Sequence, residues 1–324
     1  MNRNPITHPN PPQPVVRHRP PEEWQRSIHR SQVVSGLLRY LSAAWLLGAG
    51  LGTGYAAPGD IDPGFTDPAV GSTTPYVYGM ALQPDGKVLI GGNFLAVAGQ
   101  TRTRVARLNA DGTLDTGFFD SAPTAAVNAF AVRPDRKILL GGDFTRVNGV
   151  LGYHYARLHP DGTRDNSLSS PFNSNGSAWC FALPADGQTL IGGTGIEIDA
   201  GSSLQGLLRF KANDQVDSFN ALVGFRSGAP YVYGIALQPD GKIIICGDFS
   251  NVGGQYISKI ARLHPDGTLD TSFNAGTISS GSPEVFTVVV QPDGKIVIGG
   301  DFTSVNGTPR NNLARLLLRT SLIS

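Results

Sequence analysis

Gln238-Pro239-Asp240-Gly241-Lys242-Ile243-Ile244-Ile245-Cys246-Gly247-Asp248-Phe249 decides the fold, because the chain contains it several times over. Close copies stand at Gln83–Phe94, Arg133–Phe144 and Gln291–Phe302, and a worn copy at Pro184–Thr194. Measured between the turn aspartates Asp85, Asp135, Asp186, Asp240 and Asp293, the copies lie 50, 51, 54 and 53 residues apart. A fixed period of this size marks a repeat architecture, whose units must stack because none can bury its own faces.

The fourth copy shows what one unit is. Val232–Leu237 reads as a strand, Gln238–Gly241 as a turn and Lys242–Phe249 as the returning strand. Proline presets φ at the second turn position, and glycine at the fourth permits the left-handed conformation that closes such a hairpin. The turn sets Leu237 opposite Ile243 and Gln238 opposite Lys242. Ile243–Cys246 is apolar on both faces, as a strand sandwiched between neighbouring sheets should be. A loop, a third strand (Lys259–Leu263), a second turn (His264–Gly267) and a last strand (Thr268–Phe273) complete the unit. Four antiparallel strands in roughly 40–50 residues predict a β-propeller blade, and the fold class is all-β.

An arginine stands eight residues before an aspartate in four copies: Arg107 and Asp115, Arg157 and Asp165, Arg209 and Asp217, Arg262 and Asp270. The turn register puts each pair directly across adjacent strands, where guanidinium and carboxylate match. These are expected to be structural ion pairs. The fifth copy stops at Leu313–Leu316 without a second Asp-Gly turn, whereas Gly59–Phe65 has the pattern of Gly112–Phe118. The expectation is five four-stranded blades, with Ile61–Phe65 as the outer strand of the last and Asp62 facing Arg315. That arrangement closes the ring and removes a sheet edge. A sixth blade on a partner chain or a truncated reading frame is the alternative.

The alternation of QPDGK turn, IGGDF strand, ARL strand and PDGTLDTSF ending resembles the delta-60 repeat of bacterial β-propellers of undetermined function. The resemblance runs through most of residues 59–318 and implies the fold. Because that family has no assigned activity, it implies no chemistry.

Composition agrees with an all-β reading: 41 Gly and 23 Pro sit at regular turn positions rather than in low-complexity blocks. Residues 1–57 differ, with six Arg and two Glu, a Pro-rich head without apolar period, and an uncharged run Tyr40–Ala57. Basic flank, apolar middle and small residues at the end form the layout of a secretory signal near residues 33–57. The domain reading is therefore a disordered head plus signal over 1–57 and a propeller over 58–324. The expected location is secreted, periplasmic or at the cell surface, with no stable membrane insertion after cleavage; an uncleaved anchor, or a misread chain start and a cytoplasmic scaffold, are the alternatives.

With the head removed, the body carries 20 basic and 23 acidic groups, which lacks the footprint of a nucleic-acid binder. Cys180 and Cys246 read as two separate buried thiols, with a bridge as the alternative. No catalytic, cofactor or metal constellation stands out. Asp143, Asp248 and Asp301 recur at one repeat position, as do the turn aspartates Asp111, Asp161 and Asp266, and repetition speaks for structure. The turn aspartates supply too few converging oxygens for calcium. Lys87, Lys137, Lys242 and Lys295 read as a solvated ring at one rim. Function is expected in the variable loops Ala96–Thr103, Arg146–His154, Asp199–Gln205, Asn251–Ser258 and Ser304–Asn312. Their candidate ligand-facing residues are Tyr153, His154, Tyr155 and Tyr256, with His154 expected as an exposed loop histidine. The sequence thus favours an exported, non-enzymatic binding module for a carbohydrate or a cell-surface protein. A carbohydrate-active enzyme in the central funnel is the alternative, and it requires carboxylates converging there.

Overall fold

The computed structural model describes residues 61–317, apart from 74, 169, 197–204, 220, 225–228 and 281–283. The head, the signal-like run and most of the loop 199–205 lie outside the described residues. Every regular element among those described is a strand.

Each repeat begins as the turn chemistry dictates. Gly241 N donates to Gln238 O at 3.0 Å, Gln238 N to Lys242 O at 2.8 Å, and Leu237 pairs with Ile243. Asp240 Oδ1 accepts from Lys242 N at 3.1 Å, and Gly241 takes φ 82°. In the second blade the same left-handed position holds Arg136, at φ 64°. A side chain there costs about 1 kcal/mol, part of which the flexibility of glycine gives back. Arg136→Gly is therefore expected to stabilise the fold by about 0.5 kcal/mol, read as a higher urea midpoint.

Five sheets follow in chain order, each with an inner, a middle and a third strand. Blade 1 is Tyr76–Leu82, Val88–Asn93 and Val105–Leu108; blade 2 is Val127–Val132, Ile138–Gly142 and Tyr155–Leu158. Blade 3 is Phe172–Ala182, Thr189–Ile196 and Gln205–Phe210. Blade 4 is Tyr231–Leu237, Ile243–Asp248 and Ile260–Leu263, and blade 5 is Glu284–Val290, Ile296–Asp301 and Leu313–Leu316. In blades 1–4 the expected fourth strand shrinks to one bridge each, Leu108 with Leu114, Leu158 with Arg164, Phe210 with Val216 and Leu263 with Leu269. Every inner strand also bulges at a shared position, occupied by Tyr78, Asn128, Trp179, Tyr233 and Phe286, and that of blade 3 has a second register shift between Phe172 and Ser177.

The core is a set of layers between blades rather than one centre. Leu89 and Val105 of blade 1 pack with Val127 and Ile138 of blade 2, and Cys246 and Ile260 of blade 4 with Val285 and Ile298 of blade 5. Each junction also has a knob and a socket. A Cβ at Gly91 would lie 2.4 Å from the Phe130 ring of the next blade, and one at Gly141 would lie 3.0 Å from Phe181. A Cβ at Gly192 would lie 3.2 Å from Ile235. Where the incoming knob is the smaller Val288, Cys246 replaces the glycine. Both cysteines are buried free thiols, and burial raises the pKa of each.

Two expectations are corrected. Four of the loops read as variable are repeated two-residue hairpins, closed by Ala98-Gly99, Asn148-Gly149, Gly253-Gly254 and Asn306-Gly307; of these eight residues all have positive φ. Three of these hairpins pair with the segment that leads into their own blade, as Ala96–Val97 does with Val70–Gly71. The second correction concerns closure. Inner strands of successive blades pack on one another, but those of blades 1 and 5 have no comparable packing among the described residues. Asp62 does not reach Arg315; its Oδ1 accepts from Gly64 N at 2.8 Å, and Thr66 N donates to Asp111 O at 2.7 Å, against blade 1. Among the described residues the faces of blades 1 and 5 that a closed ring would join are left partly uncovered, with Met80 37% and Leu313 63% exposed.

Candidate functional site

The hairpin turns occupy one end of the assembly and the free ends of the inner and middle strands the other. At the turn end the predicted ion pairs form: Arg107 Nε to Asp115 at 2.7 Å, Arg157 to Asp165 at 2.8 Å, Arg209 to Asp217 at 2.7 Å and Arg262 to Asp270 at 2.8 Å. The lysines are not merely solvated. Lys87 donates to Asp115 at 2.7 Å, Lys137 to Asp165 at 2.8 Å and Lys242 to Asp270 at 2.9 Å. Each of these aspartates thus joins the strand of its arginine to the start of the middle strand. Burial alone would raise the Asp165 carboxyl, but hydrogen bonds from Lys137 and Ser167 and the Arg157 charge hold it well below the ordinary range. The same balance lowers Asp270 and Asp115.

The arginines reach further than the sequence indicates. Arg107 Nη1 donates across the junction to Pro160 O at 2.5 Å, and Arg209 makes the same bond to Pro265 O. Three of them lie over the phenylalanine ending their own repeat, Arg107 over Phe118, Arg209 over Phe219 and Arg262 over Phe273. These groups are occupied by structural partners. Between blades 3 and 4 the turn end opens into a cleft of about 550 Å³ lined by Pro184, Gln188, Arg209, Gln238 and Pro265. It lies where the third repeat carries Ala185 and Gln188 in place of proline and lysine, and Arg209 there is already bound to Asp217.

The other end differs from blade to blade. The facing pairs at the strand ends are Tyr76 with Asn93, Ser177 with Thr194, Tyr231 with Asp248 and Glu284 with Asp301. In blade 2 Asp143 accepts from Ser177 Oγ of blade 3 at 2.7 Å and has a structural role. At the mouth of blades 4 and 5 the composition becomes chemical. Lys259, left-handed at φ 69°, holds its Nζ 2.5 Å from Asp248 Oδ1. Glu284 is only 5% exposed, and among the described residues its Oε2 has no hydrogen-bond partner. Burial, followed by the nearby Asp248 charge, pushes its carboxyl up to about 7, against the pull of Lys259. Tyr231 and Tyr233 stand beside it with ring centroids 5.8 Å apart, and Tyr233 packs edge-on against Trp179 and tilted against Phe286. Burial first, and the Asp248 and Glu284 charges next, raise the Tyr231 hydroxyl.

A carboxyl whose folded pKa exceeds the unfolded value of about 4.3 costs stability as pH rises from that value through 7. Glu284→Gln is thus expected to match the parent near pH 4 and to exceed it by about 1–2 kcal/mol at pH 8. Thermal melts at the two pH values check this.

The loop candidates are dispersed. Tyr155 is a core residue, 2% exposed and stacked on Phe210, and so does not face ligand. His154 is not exposed either: it is buried, left-handed at φ 61°, and its Nδ1 lies 3.2 Å from Gly142 O. The bend before the third strand turns its ring inward against Phe172. Tyr153 is partly buried, and Tyr256 is 75% exposed on its hairpin. Glu284, Tyr231 and Lys259 were not singled out from sequence. Their signal is the first residue of the inner strand and the left-handed residue before the third, two places where the repeats disagree. Among the described residues no cluster of His, Cys, Asp and Glu could hold a metal ion.

Residues 83–118, 133–168, 238–273 and 291–318 match the model of the domain of unknown function DUF5122, a β-propeller. This agrees with the resemblance to delta-60-like repeats, and the third repeat lies outside the matched segments. No curated protein matches the sequence. Solved structures with a similar fold include an extracellular domain assigned to a hybrid two component system of B. thetaiotaomicron. It is 13% identical with a TM-score of 0.44, and the match covers 71% of this chain but only 26% of that one. A gluconolactonase from Xanthomonas campestris is 14% identical with a TM-score of 0.46, covering 76% of this chain and 77% of its own. The virginiamycin B lyase from Staphylococcus aureus is 14% identical with a TM-score of 0.41, covering 76% and 71%. Among the described residues no helix is long and apolar enough to cross a membrane.

Proposed function

We propose that this chain, a β-propeller built from repeats of the DUF5122 family, is an exported binding module that takes a hydroxyl-rich ligand at the mouth of blades 4 and 5. The observation that carries the reading is Glu284, a buried carboxyl beside Tyr231 with an oxygen that has no hydrogen-bond partner among the described residues. A buried acceptor without a partner is costly, and a ligand hydroxyl would satisfy it. A tyrosine face beside acceptors and a lysine supplies the stacking and polar contacts with which proteins hold sugars. The turn end, by contrast, binds its own charges.

The test is binding of the full chain to a panel of glycans and cell-wall polymers, repeated with Tyr231→Ala and Glu284→Gln. Saturable binding to one class, weakened about tenfold or more by either substitution, supports the reading. Binding that ignores both substitutions moves the site elsewhere, and Tyr256 becomes the next residue to change. Export is tested by cell fractionation with amino-terminal sequencing, expected to show a chain beginning just after Ala56 or Ala57.

One observation favours the enzymatic alternative. A carboxyl with its pKa near 7 close to a second carboxylate is the arrangement of a general acid and its partner. Release of reducing ends from a bound glycan, abolished in Glu284→Gln while binding persists, would establish that reading over the first.

A further inference from the structure

The two ends of the blade array present the two halves of a junction that occurs four times inside it. At the third-strand position next to each internal junction, Val105, Tyr155, Leu207 and Ile260 are 0–4% exposed, whereas Leu313 of blade 5 is 63% exposed. At the knob position Phe130, Phe181 and Ile235 are partly covered and Val288 is buried, whereas Met80 of blade 1 is 37% exposed. Its socket counterpart in blade 5, Gly299, has only Thr287 and the Asn312 carbonyl near its missing Cβ. The uncovered faces are thus a knob without a socket and a socket without a knob.

The segment 61–66 belongs to the same junction. Thr66 N donates to Asp111 O at 2.7 Å, as Phe119 N does to Asp161 O at 2.8 Å. Residues 62–66 therefore sit on blade 1 as residues 115–119 sit on blade 2: they are the tail of an outer strand whose own blade is missing. Ile61 is 92% exposed where its counterpart Leu114 is 9%, and Phe65 is 42% exposed where Phe118 is 1%. Blade 5 shows the converse. Among the described residues Arg315 forms no ion pair within 4 Å, and Lys295, lacking the aspartate that Lys87, Lys137 and Lys242 use, turns back to Asp293 at 2.5 Å. That Lys295 hydrogen bond first, and the Arg315 charge in part, lower the Asp293 carboxyl.

We propose that a second copy of this chain completes the junction: residues 61–66 of one copy form the outer strand of blade 5 of the next. Asp62 then takes Arg315 and Lys295, Phe65 lies against the Arg315 guanidinium, and Met80 enters the Gly299 socket. Among the described residues these groups stand apart within one chain, and a second copy carries both halves of the junction. The contact is head-to-tail, joining different surfaces of the two copies, and its rotation decides between a closed ring and an open array.

Charge reversal tests this with the full chain. Asp62 and Arg315 are both exposed, so D62R and R315D should each fold as the parent does. By sedimentation the parent is expected to exceed monomer mass as concentration rises, and each single variant to self-associate at least about tenfold more weakly. An equimolar mixture of the two variants should recover the assembly, because every junction between unlike copies then joins opposite charges. A parent that stays monomeric at all concentrations, with variants of lowered Tm that mixing does not rescue, would show closure within one chain and overturn the proposal. Assembly indifferent to both reversals would overturn it as well.

Discussion

Gly247→Ala is expected to destabilise the chain by at least about 4 kcal/mol, enough to leave little folded protein at 37 °C. An alanine Cβ at this position would lie 2.0 Å from Tyr231 O, 2.9 Å from its carbonyl carbon and 3.0 Å from Val232 Cα. All three atoms are backbone of the neighbouring inner strand, so no side chain can rotate away. The strand would have to separate from its partner next to the bulge at Tyr233, and the layers on both faces of blade 4 would separate with it. The second glycine of every Gly-Gly pair is in the same position, with Cβ to backbone oxygen distances of 1.9 Å at Gly92, 2.2 Å at Gly142, 2.1 Å at Gly193 and 2.1 Å at Gly300. The first glycine answers to a different neighbour. At Gly299 the nearest atom is Thr287 Cγ2 at 2.9 Å, which a χ1 change relieves, and Cys246 already stands at the corresponding place in blade 4. Gly299→Ala should therefore cost under about 1 kcal/mol. Urea denaturation of the two variants side by side gives the comparison. Equal midpoints would mean that the strand pairing at Gly247 is looser than described.

This difference between two adjacent glycines shows what the sequence could and could not reveal. The turns, the strand order and the register follow from local chemistry: proline and glycine at fixed turn positions, and alternation set by the hairpin. The eight-residue spacing of Arg157 and Asp165 is legible for the same reason, since a known turn makes sequence distance a spatial one. Features that depend on more than one hairpin were not legible. The lysines looked solvated because nothing local says that Lys137 leans toward Asp165 on the far side of its own sheet. Closure failed as an expectation because curvature belongs to the junctions, in which Phe130, Phe181, Ile235 and Val288 are knobs of unequal size. His154 looked exposed because a left-handed residue before a strand has no sequence mark unless it is glycine or asparagine, as Asn312 is in blade 5. The hairpins, by contrast, did carry a signal. Asn148-Gly149 and Asn306-Gly307 are turn dipeptides of the tightest kind, and a repeated turn is not a variable loop.

The mouth of blades 4 and 5 is hidden in the sequence because its aspartates are repeated, and repetition marks structure. That rule is sound at the turn end, where Asp115, Asp165 and Asp270 each bind arginine and lysine. At the strand ends one repeated aspartate serves different neighbours. Asp143 receives Ser177, whereas Asp248 receives Lys259 and faces Tyr231. A repeat position therefore acquires chemistry from the non-repeated residues around it, and Glu284 is one of those.

Arg157→Ala should be the most damaging of the arginine substitutions, at about 3–5 kcal/mol. Its side chain is 3% exposed and serves three partners: Asp165 through Nε at 2.8 Å, Asp214 through Nη1 at 2.5 Å and Ser167 through Nη2 at 3.1 Å. Asp214 belongs to the third repeat, at φ 65°, where Gly112, Gly162 and Gly267 stand in the others; it also binds Arg133 at 2.7 Å. Truncating Arg157 leaves Asp165, itself 4% exposed, with Lys137 and Ser167 alone, and breaks one of the two ion pairs by which Asp214 ties blade 3 to blade 2. Arg107 is 12% exposed and reaches a carbonyl rather than a carboxylate across its junction, so Arg107→Ala should cost about half as much. The acid response separates a charge effect from lost packing. Asp165 has a folded pKa below its unfolded value of about 3.9, so its contribution is complete above that value and disappears as pH falls through the folded pKa. Between pH 6 and pH 2 the parent should therefore lose more stability than Arg157→Ala, and the two curves should converge toward acid. A gap that stayed constant with pH would assign the effect to packing, and the inter-blade clamp would then be steric rather than electrostatic.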